Sequence, residues 1–247
     1  MNNTRDMTCE GIVLRVIKYK NHHAMFRFIT PDNGVIQCSV TGLNNSKKNF
    51  SGVISNLNYL NLELTKPANS EIYNVKNAHL ISALADVNNY ACFKYQSAGG
   101  ELFTKIENYL EEDYADLFRL LLNYLGYLPK IKTNQIAIFW RFLIHYYYIL
   151  GIPINLQACS ECNKKLTESI YYSLNNHALI CSNCAPKHQV KSITPNSQTL
   201  LIQLPTIGRI IDDLSINEQE KKEINELLLA HLSHSLHKDI TLKSLGI

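Results

Sequence analysis

Apolar positions beat two different rhythms along this chain. Over residues 1–80 they fall in short runs of period two. GIVLRVIKY (11–19) is β-branched and apolar, and AMFRFIT (24–30) follows a polar bend at 20–23. VIQCSVTGL (35–43) alternates, with Ile36, Cys38 and Val40 on one face and Gln37, Ser39 and Thr41 on the other. Pro31-Asp32-Asn33-Gly34 between them has turn chemistry. After the polar loop NNSKKNFSG, alternation resumes in LNYLNLELT and EIYNVKNAHL, parted by KPANS. Five strands, three in a meander and a fourth after a long loop, is the count of an OB barrel. An SH3-like barrel gives a similar pattern, and the rhythm alone does not separate the two.

From residue 81 the period lengthens to that of a helix. Leu102, Phe103, Ile106, Tyr109 and Leu110 form one stripe; Leu117, Leu120, Leu121, Tyr124 and Leu125 form another, ended by Gly126 and Pro129. The strongest helix is expected after Asn134, a good N-cap, and should stop at Gly151 before Pro153. It is apolar nearly all round, which suits the centre of a bundle. Tyr147 continues its stripe from Phe139 and Leu143, so a core role is expected for the Tyr146–Tyr148 run. Pro195 and Pro205 mark helix starts or linkers, and residues 216–236 form a long amphipathic helix.

Between the helical stretches, four cysteines change the picture. Cys159 and Cys162, then Cys181 and Cys184, make two C-x-x-C pairs, the pattern of a four-thiolate zinc site. Asn163 after the first pair tolerates the left-handed conformation of a tight metal-binding turn. IYYSL and ALIC flank NNH and read as a hairpin that brings the pairs together. Two disulfides are the alternative, but nothing reads as a signal peptide leading to an oxidising compartment. One structural Zn2+ per chain is expected, with no open coordination position. Cys9, Cys38 and Cys92 sit in apolar surroundings and read as reduced core residues. The fold class is thus α+β: a five-stranded OB-type barrel (1–80), a helical domain (81–154 and 192–247) and, inserted in it, a four-cysteine zinc ribbon or finger (155–191).

The chain of 247 residues carries a formal net charge of +3, unevenly spread. Residues 1–80 hold nine Lys/Arg against five Asp/Glu, and residues 155–191 hold four against two. A basic bias in these two segments fits nucleic acid, though ordinary solvated lysines would look the same. Arg15, Lys18, Lys20, Arg27, Lys47 and Lys48 are the candidates for phosphate contacts on the barrel. Lys47 and Lys48 precede the fourth strand, where OB domains commonly touch a backbone. Of the aromatics Tyr19, Phe26, Phe28 and Tyr59, about half must fill the barrel and the rest are free to stack on bases. His22-His23 reads as a surface bend. His231, His234 and His237 recur every three residues; a metal site is conceivable, but a solvated or helix-end role fits the spacing better.

Catalytic signatures are missing. Gly99-Gly100 lacks the Lys-Ser/Thr of a phosphate-binding loop, and there is no G-x-S-x-G or H-E-x-x-H. No His is followed two residues later by Glu, as a zinc deaminase requires. The longest apolar run, IAIFWRFLIHYYYILG, is interrupted by Arg141 and His145 and is too short to span a bilayer. A soluble, non-enzymatic protein is expected.

The order of these pieces resembles the bacterial DNA repair protein RecO family. The resemblance is carried by GIVLRVIKYKNHHAMFRFITPDNGVIQCSVTGL, the stretch NNSKKNF, the strand YLNLELT and the helical YQSAGGELFTKIENYLEEDYADLFRLLLNYL. It continues in RFLIHYYYILGIPINLQACSECNKKL and in the ending HLSHSLHKDITLKSLGI. It implies a cytoplasmic, nucleoid-associated recombination mediator that binds single- and double-stranded DNA, anneals complementary strands and helps load recombinase onto DNA coated with single-strand-binding protein. The implied partners are RecR and the acidic C-terminal tail of single-strand-binding protein, the latter bound by the helical region. Arg119, Lys130, Lys132 and Arg141 are the candidates for that tail. The barrel loop is poorer in Arg and Lys than the family's, so part of the DNA affinity is assigned to Lys164, Lys165 and Lys187 beside the cysteines. The competing reading is a zinc-ribbon adaptor of transcription or translation with no DNA activity of its own.

Overall fold

The computed structural model describes residues 5–19, 23–43, 50–106, 109–167 and 169–246. The chain forms two compact units, Met1–Lys130 with Leu242–Ile247, and Ile131–Thr241. The helical stretch 81–154 is therefore cut at Lys130, and the cysteine module shares a unit with helices on both sides of it. The residues from Leu242 onward belong with the barrel and not with the final helix.

In the first unit, strands β1 (Arg5–Tyr19), β2 (His23–Thr30), β3 (Gly34–Thr41), β4 (Asn58–Lys66) and β5 (Ile72–Ala83) close a barrel in the order β1-β2-β3-β5-β4. All pairs are antiparallel except β3 with β5. That order resolves the earlier ambiguity in favour of the OB type, a five-stranded Greek-key barrel. Alternate positions fill it: Phe26 and Phe28 meet edge-on at 6.1 Å, with Cys38, Val40, Leu60, Leu62 and Leu64 around them. The long connection before β4 contains one helical turn, α1 (Phe50–Val53), whose Phe50 is buried in the barrel cluster.

β1 carries the feature that positions the site. Val13 pairs with Phe28, but the next pair is Arg15 with Arg27, so Leu14 is an extra residue in a β-bulge. Side chains alternate along a strand, so with Val13 in the barrel an unbulged β1 would turn Arg15 inward. The bulge turns it out, and Leu14 is buried outside the barrel cluster. The bulge is held from outside: the Leu57 amide donates to the Val13 carbonyl at 2.7 Å, and the Val16 amide donates to Asn56 Oδ1 at 2.9 Å. Leu57 itself is buried at φ +64°, a conformation unfavourable for a branched side chain and held here by its burial and its amide hydrogen bond to Val13.

Helices α2 (Tyr90–Lys105) and α3 (Tyr114–Tyr127) complete this unit. Gly99-Gly100 serves packing: a Cβ on Gly99 would lie 2.5 Å from the Tyr124 ring, and one on Gly100 would lie 2.9 Å from Leu57. Buried Gln96 is fully used, donating to the Leu84 and Leu125 carbonyls and accepting from the Asp86 amide.

The second unit is built on α4 (Gln135–Ile149), with Trp140, Tyr146 and Tyr147 wholly buried and Tyr148 exposed. The expected N-cap works differently. Asn134 is left-handed (φ +53°), and its amide caps no helix N–H but donates to the Ile211 and Leu214 carbonyls at 3.0 and 2.8 Å. A three-stranded sheet follows in the order β7-β6-β8: β6 (Ile170–Ser173), β7 (Ala178–Cys181) and β8 (Val190–Ser192). The hairpin β6–β7 matches the expectation; β8, two of whose three residues are polar, was not legible as a strand. Helix α5 (Pro195–Gln203) begins at the cap Thr194. Helix α6 (Glu218–Ser235) begins at a capping box between Asn217 and Glu220. Among the described residues, no helix is long and apolar enough to cross a membrane.

Candidate metal centre and nucleic-acid surface

Two tight turns and one hairpin build the cysteine site. Asn155 starts the first turn by accepting from the Gln157 and Ala158 amides. A bridge between Ala158 and Lys165 closes it, with the Cys159 amide donating to the Lys164 carbonyl and the Asn163 amide to the Cys159 carbonyl. Asn163 takes φ +58°, as its residue type suggested. β7 ends on Cys181, and the Cys184 amide donates back to the Cys181 carbonyl. The Ser160 amide donates to the Leu179 carbonyl at 3.0 Å and locks the first turn onto β7.

The four sulfurs lie within 4.8 Å of one another, and Cys162 Sγ and Cys181 Sγ are 3.7 Å apart. Tetrahedral zinc with Zn–S of ~2.3 Å sets sulfurs about 3.8 Å apart, so the residues fit the metal. Burial resists ionisation of Cys159, but backbone N–H groups of Cys162, Cys181 and Glu161 turned on its sulfur outweigh it and pull its pKa down. Cys184 is pushed up, by desolvation first and then by sulfur contacts with Cys181, Cys162 and Cys159. Cys159 is thus favoured as a thiolate over Cys184. Among the described residues these four cysteines are the one cluster placed to hold a metal ion. Cys9, Cys38 and Cys92 are buried elsewhere, and desolvation raises all three.

The histidines near the end of α6 turn out to be packed as well as terminal. His231 contacts the Ile152 carbonyl through Nε2 (2.9 Å) and the Tyr147 ring (5.4 Å between centroids), while His234 stacks on His177 at 4.5 Å. His231 therefore leaves the solvated role expected for it, and its spacing carried no signal of the carbonyl it meets. His234 and His237 are exposed.

On the barrel, the outer face of the β1–β2 hairpin shows three cross-strand pairs in succession: Arg15–Arg27, Ile17–Met25 and Tyr19–His23. The Tyr19 and His23 rings stack at 5.7 Å. Arg27 Nη1 donates to the Thr104 carbonyl at 2.8 Å, which fixes its guanidinium. Lys18 pairs with Ala24 on the opposite register and is exposed, so it stands apart from the two arginines. Lys20, Lys47, Lys48 and His22 lie outside the described residues. Tyr59 donates to Glu10 Oε2 at 2.6 Å and its ring leans on Phe118 at 6.0 Å, which makes it a packing residue.

Lys164, Lys165 and Lys187 are exposed on the cysteine turns. The four candidates for an acidic peptide are not one cluster within either unit. Arg119, ion-paired with Asp116 at 3.1 Å, and exposed Lys130 belong to the first unit; Lys132 and Arg141 belong to the second. Arg141 Nε is buried with no hydrogen-bond partner among the described residues.

The family model described as "Recombination protein O N terminal" matches residues 1–84, and the one described as "Recombination protein O C terminal" matches residues 95–245. The DNA repair protein RecO of Caldicellulosiruptor saccharolyticus is 22% identical over 233 residues, covering 94% of this chain and 93% of that protein. The DNA repair protein RecO of Dehalococcoides mccartyi strain CBDB1 is 24% identical, with 97% and 91% covered. That of Mycoplasma capricolum subsp. capricolum is 23% identical over 181 residues, with 72% of each covered.

Proposed function

Matched along both halves, this chain belongs to the recombination protein O (RecO) family, and from that premise we propose that it is a DNA-repair protein working as a recombination mediator. It binds single- and double-stranded DNA, anneals complementary strands and helps place recombinase on DNA covered by single-strand-binding protein, with RecR and that protein's acidic tail as partners. None of this requires bond-making. Annealing requires a surface that neutralises backbones while bases stay free to pair. The observation that carries the reading is the outer face of the β1–β2 hairpin. There Arg15 and Arg27 are cross-strand partners and a stacked Tyr19–His23 pair follows two steps along the strands. Cationic side chains beside a ring platform are the parts of a single-strand site.

The cysteine centre takes one Zn2+ per chain as a structural ion. Four thiolates around a dication leave two negative charges, so Lys164, Lys165 and Lys187 have a local role as counter-charges as well as any contact with DNA. Exchanging Lys164 and Lys165 for Ala, in comparison with Lys47 and Lys48, separates those roles through the salt dependence of binding. The acidic tail has two separate candidate sites, Arg119 with Lys130 in the first unit and Lys132 with Arg141 in the second, told apart by titrating a fluorescent acidic peptide against variants with each pair's charges removed.

The deciding experiment mixes two complementary oligonucleotides with the zinc-loaded protein, without ATP, across a salt series. Annealing that is fast at low salt and fades as salt rises is the expected result. No annealing at any salt, together with tight binding of a protein partner, favours the adaptor reading instead.

A further inference from the structure

Arg15 and Arg27 pose a problem that DNA binding in general leaves open. Like charges directly opposite in a sheet destabilise it, and here a bulge is what brings them together. Among the described residues, neither guanidinium has a carboxylate partner. They line a groove in the first unit made of two adjoining cavities of about 370 and 210 Å³, both bordered by Arg15, Glu101, Thr104 and Lys243. The far wall is the last turn of α2 and the chain's tail. It adds Lys105 and Lys243, so among the described residues four basic residues line the groove, with Glu101 as its one acidic residue.

That carboxylate is already committed. Glu101 accepts from the Lys243 amide (3.1 Å), the Ser244 amide (3.0 Å) and the Ser244 hydroxyl (2.8 Å), and Lys105 Nζ lies 3.6 Å away. Leu242 is fully buried beside it in sequence, whereas Lys243 is exposed. The tail is thus pinned through its backbone on one side of Lys243 and through an apolar plug on the other. Lys243 lines the groove, and it holds the tail through its backbone amide; among the described residues its side chain makes no ion pair. Between the walls, Ile17 and Met25 supply an apolar floor, with Ile17 about half exposed (53%). The Tyr19–His23 rings continue the same face.

We propose that this groove is the track of one unpaired polynucleotide strand, its phosphates held between Arg15 and Arg27 on the barrel and Lys105 and Lys243 on the opposite wall, its bases on Ile17, Met25 and Tyr19. The proposal rests on the DNA-binding reading and adds to it a second wall, made by α2 and the tail. A single strand fits better than a duplex because an apolar and aromatic floor serves only bases that are not paired. A phosphate between the two arginines also removes the repulsion that the bulge creates.

The test is fluorescence anisotropy of labelled oligo(dT) on the full-length, zinc-loaded protein over a salt series. Lys243→Gln should weaken binding about threefold to tenfold and flatten the salt slope by about 0.7, the loss of one single-strand phosphate contact. Lys105→Gln with Lys243→Gln should lose more. An oligonucleotide carrying iodouracil should photocrosslink to the peptide containing Tyr19 or Met25. If Lys243→Gln leaves affinity and slope unchanged while Arg15→Gln with Arg27→Gln lowers both, the second wall is wrong and the DNA reading stands. If neither variant matters, both fail. If the lysine variants lose an acidic peptide but not oligo(dT), the groove belongs to a protein partner and the proposal is overturned.

Discussion

The cysteine module and the barrel groove handle charge in opposite ways. In the module, four potential anions converge to within 4.8 Å, and only a cation at their centre reconciles that geometry with full ionisation. In the groove, two arginines are cross-strand partners and two lysines line the other wall, which suits an anion. With the proposed ion in place, the first site has all four coordination positions taken by protein. The second, as the proposed strand track, is a groove and not a closed cage. A closed site of this kind maintains structure, whereas an open one exchanges ligands. Stability and ligand binding should therefore sit in different units and come apart under mutation.

Breaking the closed site should have the largest effect. Metal binding to a four-thiolate module is coupled to folding by on the order of 10 kcal/mol. Cys181→Ser should lose the bound metal and the hydrogen-exchange protection of β6, β7 and β8, while amides of β1 to β4 keep theirs. Equal loss in both units would end the contrast. Next comes the open site. Arg15→Gln with Arg27→Gln should weaken oligonucleotide binding by about tenfold or more and flatten its salt dependence. The melting temperature should change little, because relief of the opposed cations is set against loss of the Arg27–Thr104 hydrogen bond. A fall in melting temperature would mark the arginines as structural.

The smallest effect is a difference in acid sensitivity. His177 is lowered from its ordinary value near 6.5 by burial and then by the imidazoles of His234 and His231. The unfolded chain therefore binds its proton first, and the second unit should lose stability as pH falls from about 6.5 towards the folded value, with no change above. Glu101 is also lowered: burial opposes ionisation, but the Ser244 and Lys243 donors and Lys105 outweigh it. Its contribution is complete above about 4.5 and is lost as pH falls through its lower folded value. Hydrogen exchange at about pH 5.5 should find the ribbon softened and the tail still docked. His177→Gln should remove part of the ribbon's pH slope; an unchanged slope would assign it to the thiols alone.

The closed site was legible because its determinants are local. Each cysteine pair spans four residues, Asn163 announces its own left-handed turn, and the hairpin between shows in IYYSL and ALIC. The barrel was legible as five strand-like runs, most of them alternating, but its strand order depends on the β3–β5 pairing, which no local pattern encodes. Arg15 was named as a phosphate contact for its charge, and its direction was hidden. Ile12 and Leu14 are buried on one face of β1 and Val13 on the other, so the run 11–16 has no alternation from which to read a bulge. Lys105 and Lys243 were missed because they lie far apart in sequence and meet only through the tail's bonds to Glu101. Asn134 shows the reverse: its residue type fitted a cap, but a left-handed backbone sent its amide to the Ile211 and Leu214 carbonyls.

The placement of Leu242 and its neighbours in the unit of the barrel has a consequence for biogenesis. Residues 131–241 must leave the ribosome before the segment that seats against Glu101 exists. A nascent chain carrying a finished barrel and α2 still lacks Lys243 and the donors that satisfy that carboxylate. Domains tend to fold in order of synthesis, so the groove would be the last part to mature. Premature termination within the second unit would then yield a barrel whose groove lacks the wall that carries Lys243.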